Sequence, residues 1–260
     1  MRDIPDHWIL PNWPAPARAL MTSRHAGVSL PPWDRMNLGD HVGDSPAHVQ
    51  SNRQRLAEVI ERRPVFLQQV HGVHPVRLHS SSVDGVQADA CWTDCREVAC
   101  TIMVADCLPV LLCDGAGQWV AAVHAGWRGL AGQQGQGVLE VLWSDLVHAG
   151  VNVTEVLAWL GPCIGPQAFE VGPEVKTALD DGSPSVSALF APSAEGKFKA
   201  DLAGLARLRL QALGLSQVYG NDSSPSWCTV SQADLFFSHR RDSRRFGQTG
   251  RMAACIWLDT

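Results

Sequence analysis

The apolar positions of this chain follow two different periods. Residues 44–61 repeat at helical spacing, with Val49, Leu56, Val59 and Ile60 on one face and Asp44 or Ser45 ahead of them as a cap. A second helix is predicted over residues 133–148, where Val138, Leu142 and Leu146 recur at i, i+4 and i+8, with Leu139 and Trp143 beside them. Asp201 is placed to cap a third, which carries Leu202, Leu205 and Leu208. Between these stretches the pattern changes. Residues 98–104, 109–113 and 119–123 are short apolar runs broken by Asp, Gly and Gln, the signature of buried strands. Further strands are predicted near 19–22 and at 65–67, 156–160 and 252–258.

Strands come in groups and helices are spaced irregularly, so the expected fold is α+β with mixed sheets rather than a regular doubly wound sheet. The first 35 residues, rich in proline and tryptophan as in Leu10-Pro11-Asn12-Trp13-Pro14, read as an extended segment laid across the surface. No internal repeat, low-complexity tract or long linker interrupts the chain. Residues 1–260 are therefore expected to form one domain, large enough to bury most of its apolar surface without disulfides.

Composition narrows the function. A net charge of −5 leaves no basic excess to neutralise phosphates, which argues against a nucleic-acid binder or a partner of anionic membranes. No segment approaches the roughly 20 apolar residues needed to span a bilayer. The start, Met1-Arg2-Asp3-Ile4-Pro5-Asp6, has no apolar core of a secretory signal, so the expected location is the cytoplasm. In that reducing compartment the eight cysteines should be thiols. Cys100, Cys113 and Cys255 lie in apolar runs and read as small core residues. Cys91 and Cys95 form C-x3-C, but the second half of a four-ligand structural zinc site is missing.

Three strand ends carry candidate chemistry. Gln69-Val70-His71-Gly72 closes one strand. Ala105-Asp106-Cys107-Leu108-Pro109 sets a carboxylate and a thiol into what reads as a hydrophobic strand pair. His124-Ala125-Gly126-Trp127-Arg128-Gly129 closes another run and places an imidazole and a guanidinium at one rim. A buried carboxylate is costly alone, so Asp106 implies a polar partner or a pocket. Two imidazoles and a thiolate suit zinc, and three protein ligands leave a fourth position open for catalysis. Spacing alone leaves other readings open, because each histidine can equally be a hydrogen-bonded rim residue and Cys107 an inert buried thiol.

The blocks Gln68-Gln69-Val70-His71-Gly72, Ala105-Asp106-Cys107-Leu108-Pro109-Val110 and Ala122-Val123-His124-Ala125-Gly126-Trp127-Arg128-Gly129 resemble the laccase-domain, YfiH-like family. That family has carried the labels polyphenol oxidase, peptidoglycan editing factor and purine nucleoside phosphorylase. Asn37-Leu38-Gly39-Asp40-His41-Val42-Gly43-Asp44, Gly161-Pro162-Cys163-Ile164-Gly165-Pro166, Phe169-Glu170-Val171, Phe237-Ser238-His239-Arg240-Arg241-Asp242 and Thr249-Gly250-Arg251 extend the likeness from about residue 20 onward. It implies two packed mixed sheets flanked by helices, as in the catalytic domain of cytotoxic necrotizing factor. It also implies that His71, Cys107 and His124 bind zinc, with copper as the other metal. One departure stands out: six residues, 243–248, separate Arg-Arg-Asp from Thr-Gly-Arg, where the family has a very short turn.

The same resemblance implies a purine nucleoside phosphorylase with adenosine deaminase activity, acting on adenosine, inosine and methylthioadenosine with phosphate as co-substrate. His71, Cys107, His124 and Asp106 would then be catalytic, with Asp106 or Asp89 handling protons. Arg128, Arg240, Arg241 and Arg251 are candidates for phosphate because guanidinium forks match its oxygens, Arg128 ahead of the others. The plain readings are solvated or Asp-paired arginines, an exposed His41, an Asn37 that organises its turn, a packed Cys163, and a Trp127 that packs unless it stacks on a base. Three further functions compete: a Cys107 thiolate nucleophile paired with His124, a copper oxidase at the same residues, and a binding module for cell-wall precursors.

Overall fold

The structure, a computed structural model, describes residues 3–259. Met1, Arg2 and Thr260 lie outside the described residues, so the N-terminal reading is met only from Asp3 onward. In chain order the first half contains β1 (Arg18–Met21), α1 (Pro46–Ile60), β2 (Arg63–Phe66), β3 (Pro75–Arg77), β4 (Ala90–Thr93), β5 (Val98–Val104), β6 (Leu108–Asp114) and β7 (Val120–Ala125). Then come α2 (Trp127–Ala131), α3 (Val138–His148), β8 (Val156–Leu160), β9 (Glu170–Val171), α4 (Pro173–Leu179) and α5 (Pro184–Ser187). The last part holds β10 (Phe190–Pro192), β11 (Phe198–Ala200), α6 (Leu202–Ala212), β12 (Gln217–Gly220), α7 (His239–Phe246) and β13 (Met252–Trp257).

Two large mixed sheets result. One has the order β1-β13-β5-β2, the other β12-β8-β6-β7-β4-β3; β9, β10 and β11 form a small antiparallel sheet. The expected α+β fold of packed mixed sheets flanked by helices is the fold observed. Alternation along the apolar strands explains the layering. Cys100, Ile102 and Val104 of β5, Leu111 and Cys113 of β6, and Met252, Ala254 and Ile256 of β13 fill the layer between the sheets. The alternate residues Ala99, Met103, Ala253 and Trp257 pack with Leu56 and Ile60 of α1. On the far side Val110, Leu112, Ala121 and Val123 pack with Leu139 and Leu142 of α3 and Leu205 of α6. A strand covered on both faces needs apolar residues at every position, which is why these runs do not alternate in sequence. Among the described residues no helix is long and apolar enough to cross a membrane.

Two expectations are corrected. The helix over 133–148 begins only at Val138, because Gly132, Gln133, Gln136 and Gly137 belong to a tight turn closed by the Gln133–Gln136 bridge. Glu140 then accepts the Gly137 N–H at 2.9 Å and satisfies the helix start. The second concerns β5 and β6. They are consecutive but do not pair: β5 lies in one sheet and β6 in the other, and Ala105-Asp106-Cys107 carries the chain between them.

Candidate active site

That crossover sets Cys107 at the open end of the layer between the sheets. His124 reaches the same place because it shares the parity of Val120 and Ala122, which face the layer, and stands one residue from the end of β7. His71 arrives on the loop after β2. The ligand-capable atoms of His71, Cys107 and His124 all lie within 4.8 Å of one another, and the two imidazole rings meet edge to face at 4.8 Å between centroids.

Asp89, fully buried just before β4, organises this cluster. Its carboxylate accepts the consecutive backbone N–H groups of Val70, His71 and Gly72 at 3.1, 2.9 and 2.7 Å, and lies 2.8 Å from Nδ1 of His124. The first three bonds hold His71 at φ +61, a left-handed conformation unfavourable for a side chain with a Cβ. The fourth fixes the His124 ring and turns its other nitrogen toward the thiol side of the site. Burial raises the Asp89 carboxyl's pKa, but the hydrogen bond and charge of His124 and the backbone donors outweigh it and hold the group below its ordinary value.

Burial likewise acts to raise the Cys107 thiol, yet the charge of His124 and hydrogen bonds from His124 and His71 bring it down to about 6. His124 moves the other way: burial lowers it, but Cys107 and Asp89 raise it to about 9. Without metal, both shifts favour the thiolate–imidazolium form of the pair. Its donor chemistry, one thiolate and two imidazoles drawn together around one point, fits a borderline-soft divalent metal such as zinc. Gly126 explains part of the His-Ala-Gly-Trp-Arg-Gly block, since a Cβ there would lie 3.0 Å from Cys107 Sγ and 3.1 Å from His71 Cδ2.

The cluster opens into a cavity of about 270 Å³, lined also by Met103, Ile164, Phe169 and Trp127 and by the polar groups Gln69, His41, His239, Arg240 and Arg251. Gln69 is fixed by paired bonds to the Met103 backbone, at 2.8 Å from its amide nitrogen and 2.7 Å to its amide oxygen. Asp106 lines the cavity at φ +91, its carboxylate accepting from Thr229 Oγ1 at 2.6 Å, Ser238 Oγ at 3.1 Å and the Arg240 N–H at 2.6 Å. Oδ1 takes one of these bonds and Oδ2 takes two. Asp106 is built to lock the β5–β6 crossover against α7.

The arginines divide. Arg128 is exposed, stacks on Trp127 with its guanidinium carbon 4.4 Å from the ring centroid, and lies outside the cavity lining. Helix α2 begins at Trp127 and turns Arg128 outward, so its four-residue distance from His124 misleads. Arg241 also misses the cavity, held by Asp242 at 2.7 Å and by the carbonyls of Thr229, Val230 and Phe236. Arg240 does line the cavity, anchored to the carbonyls of Ala168 and Glu170 beside the Phe169 ring. Of the inserted residues 243–248, the first four extend α7 and Gly247 ends it at φ +76, so they sit away from the cavity. His41 is solvent-exposed as read and also stands on the cavity rim. Phe169 and His239 lie in the blocks Phe169-Glu170-Val171 and Phe237-Ser238-His239-Arg240-Arg241-Asp242, and the packing around β9 and α7 brings both to the rim.

A fold of two stacked mixed sheets with a His-Cys-His cluster at their seam defines a metal-capable enzyme pocket. Residues 18–259 match the family model described as multi-copper polyphenol oxidoreductase laccase, and the chain belongs to that family. Among its relatives, a Pseudomonas aeruginosa protein named purine nucleoside phosphorylase PA4543 is 50% identical over 96% of this chain and 98% of its own length. The Escherichia coli protein named purine nucleoside phosphorylase YfiH is 45% identical over the same shares, 96% and 98%. Among solved structures, Neisseria meningitidis protein NMB0706 superposes with a TM-score of 0.87 at 42% identity, covering 98% of this chain and all of that one. YlmD from Geobacillus stearothermophilus gives 0.87 at 31% identity, covering 100% and 98%.

Proposed function

We propose that this chain is a zinc-dependent purine nucleoside phosphorylase of the cytoplasm, acting as one catalytic unit. It takes adenosine, inosine or methylthioadenosine with phosphate to the free purine and a ribose 1-phosphate or its methylthio analogue. The observation that carries the reading is the His71, Cys107 and His124 cluster within 4.8 Å, opening into a pocket with aromatic and cationic walls. The names of full-length relatives at 45–50% identity support it.

In this reading His71, Cys107 and His124 hold the zinc, which supplies a Lewis acid beside the substrate. Phe169 and Trp127 offer flat faces to the base. Arg240 fixes substrate oxygens by its unused donors. Asp106 acts as a positioning residue. Phosphate oxygen forms a bond to C1′ as the C1′–N9 bond breaks, and the purine leaves with that electron pair and takes up one proton. Deamination of adenosine is the second activity of the same pocket, with water adding at C6 and ammonia leaving. Zinc-loaded protein should release adenine and ribose 1-phosphate in equal amounts, and only when phosphate is supplied. No adenine from zinc-replete protein would overturn the reading, and phosphate-independent formation of inosine reports the deaminase.

One observation favours a second reading. Cys107 with a pKa of about 6, next to His124 backed by Asp89, is also the arrangement of a thiol nucleophile. Saturating zinc decides between them: protection of Cys107 from iodoacetamide supports ligation, and unhindered alkylation that abolishes activity supports the nucleophile. Copper at the same residues would be a single centre, since one such cluster occurs among the described residues, whereas a multi-copper oxidase needs several.

A further inference from the structure

Several arginines of this chain are neutralised by a carboxylate. Arg53, Arg209 and Arg241 each have a carboxylate within ion-pair distance. Arg251 differs. It lines the cavity, and its Nη1 donates to the carbonyls of Thr249 at 3.0 Å and Gly250 at 3.2 Å. Among the described residues no carboxylate lies within ion-pair distance of it. A guanidinium carries five donors, so the Nε and Nη2 hydrogens remain for a ligand. Arg251 is half-buried and feels the charges of Cys107 and Asp106 only from beyond ion-pair distance, so an anion on its free donors would be its first direct counter-charge.

The surrounding loop is shaped as a bed for this side chain. Oδ1 of the fully buried Asn37 accepts the N–H groups of Gly39 and Arg251 at 3.0 and 2.9 Å, and the Leu38 N–H donates to the Arg251 carbonyl at 3.0 Å. The amide nitrogen of Asn37 donates to the Gly39 carbonyl at 3.0 Å and to buried Asp44 at 2.9 Å, closing the loop on itself. The arginine stem crosses Gly39 where a Cβ would lie only 2.8 Å from its Cγ. His41, from the same loop, stands on the same cavity rim.

We infer that Arg251, clamped by Asn37 and Gly39, is the oxyanion seat of the cavity and binds the phosphate ion that the reaction consumes. The identity of the reaction rests on the proposed phosphorolysis; the seat itself rests on the geometry alone. Arg128 and Arg241 are outside the cavity, and Arg240 stands by the aromatic wall at Phe169, which suits the nucleoside rather than the ion. The same oxyanion chemistry has two sources, free phosphate and the phosphoryl group of a nucleotide. The seat is assigned to free phosphate, because Arg251 opens onto the cavity it shares with the His-Cys-His cluster.

The test uses zinc-loaded full-length protein, with zinc content confirmed for each variant. Arg251→Met should raise the KM for phosphate by about 10–100-fold, the loss of a charge-assisted hydrogen-bonded contact, while the KM for adenosine moves little. Arg251→Lys should fall between the two, and methylguanidinium in solution should partly restore Arg251→Ala. Should the arginine variants fail to fold, Gly39→Ala displaces the stem while keeping the charge, and should raise the same KM. Calorimetric titration with inorganic phosphate reads the seat without turnover. A wild-type protein that binds phosphate through Arg251 but performs no phosphorolysis keeps the seat and refutes the reaction. One that performs phosphorolysis while Arg251→Met and Gly39→Ala leave the phosphate KM unchanged refutes the seat and keeps the reaction. Arg251-dependent binding of AMP that is tighter than adenosine and displaces phosphate would overturn the assignment to the free ion.

Discussion

Cys100 and Cys113 sit within the layer between the two large sheets, and Cys107 sits at its open end. All three arrive on β5, β6 or the crossover between them, only 13 residues of sequence apart from first to last. Burial pushes the Cys100 thiol well above its ordinary value, with Cys91 adding to the effect, and pushes Cys113 up to about 12. At Cys107 the same burial is overcome by His124 and His71, and the thiol falls to about 6. The residue type and the layer are shared. What differs is that the layer ends at Cys107, where strand ends rather than strand faces meet and polar groups can approach.

The largest test of this comparison exchanges the two environments. Cys107→Ala should abolish stoichiometric zinc and lower turnover by about 10³-fold, the several kcal/mol of barrier that a Lewis acid supplies. Cys100→Ala and Cys113→Ala should keep zinc and turnover and cost about 1 kcal/mol of stability, the usual size for a modest core truncation. Metal analysis beside a denaturant melt reads both outcomes; zinc retained in Cys107→Ala would break the comparison at its centre.

Next in size is Asp89→Asn. It removes the carboxylate that orients His124 and holds the 70–72 backbone, and zinc affinity should drop about 10–100-fold, as is usual for groups that orient metal ligands. Affinity equal to wild type in a chelator competition would show that the loop holds His71 without Asp89.

Thiol reactivity gives a third measure. In the zinc-free protein, iodoacetamide should label Cys107 with a pH midpoint near 6, set by the pKa of about 6, while Cys100 and Cys113 stay unlabelled until unfolding. Peptide mass mapping across pH 5 to 9 reads this; a midpoint near 8.5, the value of a free thiol, would remove the ion pair.

The smallest effect concerns acid stability at the neighbouring helix. Burial raises the Asp242 carboxyl, but Arg241, the Ser238 N–H and Thr249 hold it below its ordinary value. A carboxyl depressed in the fold stabilises above its unfolded pKa of about 3.9, and that contribution fades as pH falls through the folded value. Asp242→Asn should therefore lower the melting temperature at pH 7 and converge with wild type in strong acid. A constant difference at every pH would assign the effect to packing.

Much of the fold was legible in the residues. The strands at 98–104, 109–113 and 252–258 were found within a residue or two, because burial on both faces leaves an uninterrupted apolar run. Helix α1 was found for the complementary reason, a single apolar face. The start of α3 was misplaced because periodicity extends past a Gly-rich turn that local chemistry closes. The site was legible in part: His71, Cys107 and His124 stood out as polar residues ending apolar runs. Arg128 stood out for its nearness in sequence, and the start of α2 turned it away.

By itself the sequence determined the layers, the residues that fill them and the three donors that interrupt them, since these follow from local periodicity and from the cost of burying polar groups. Tertiary structure alone decided that β5 and β6 part into different sheets, that Asp89 gathers a loop and a histidine, and that Arg251 rather than Arg128 faces the cavity. Those outcomes depend on contacts between segments far apart in the chain. Asn37 and Arg251 are separated by 214 residues and Asp106 and Arg240 by 134, and no local pattern encodes such meetings.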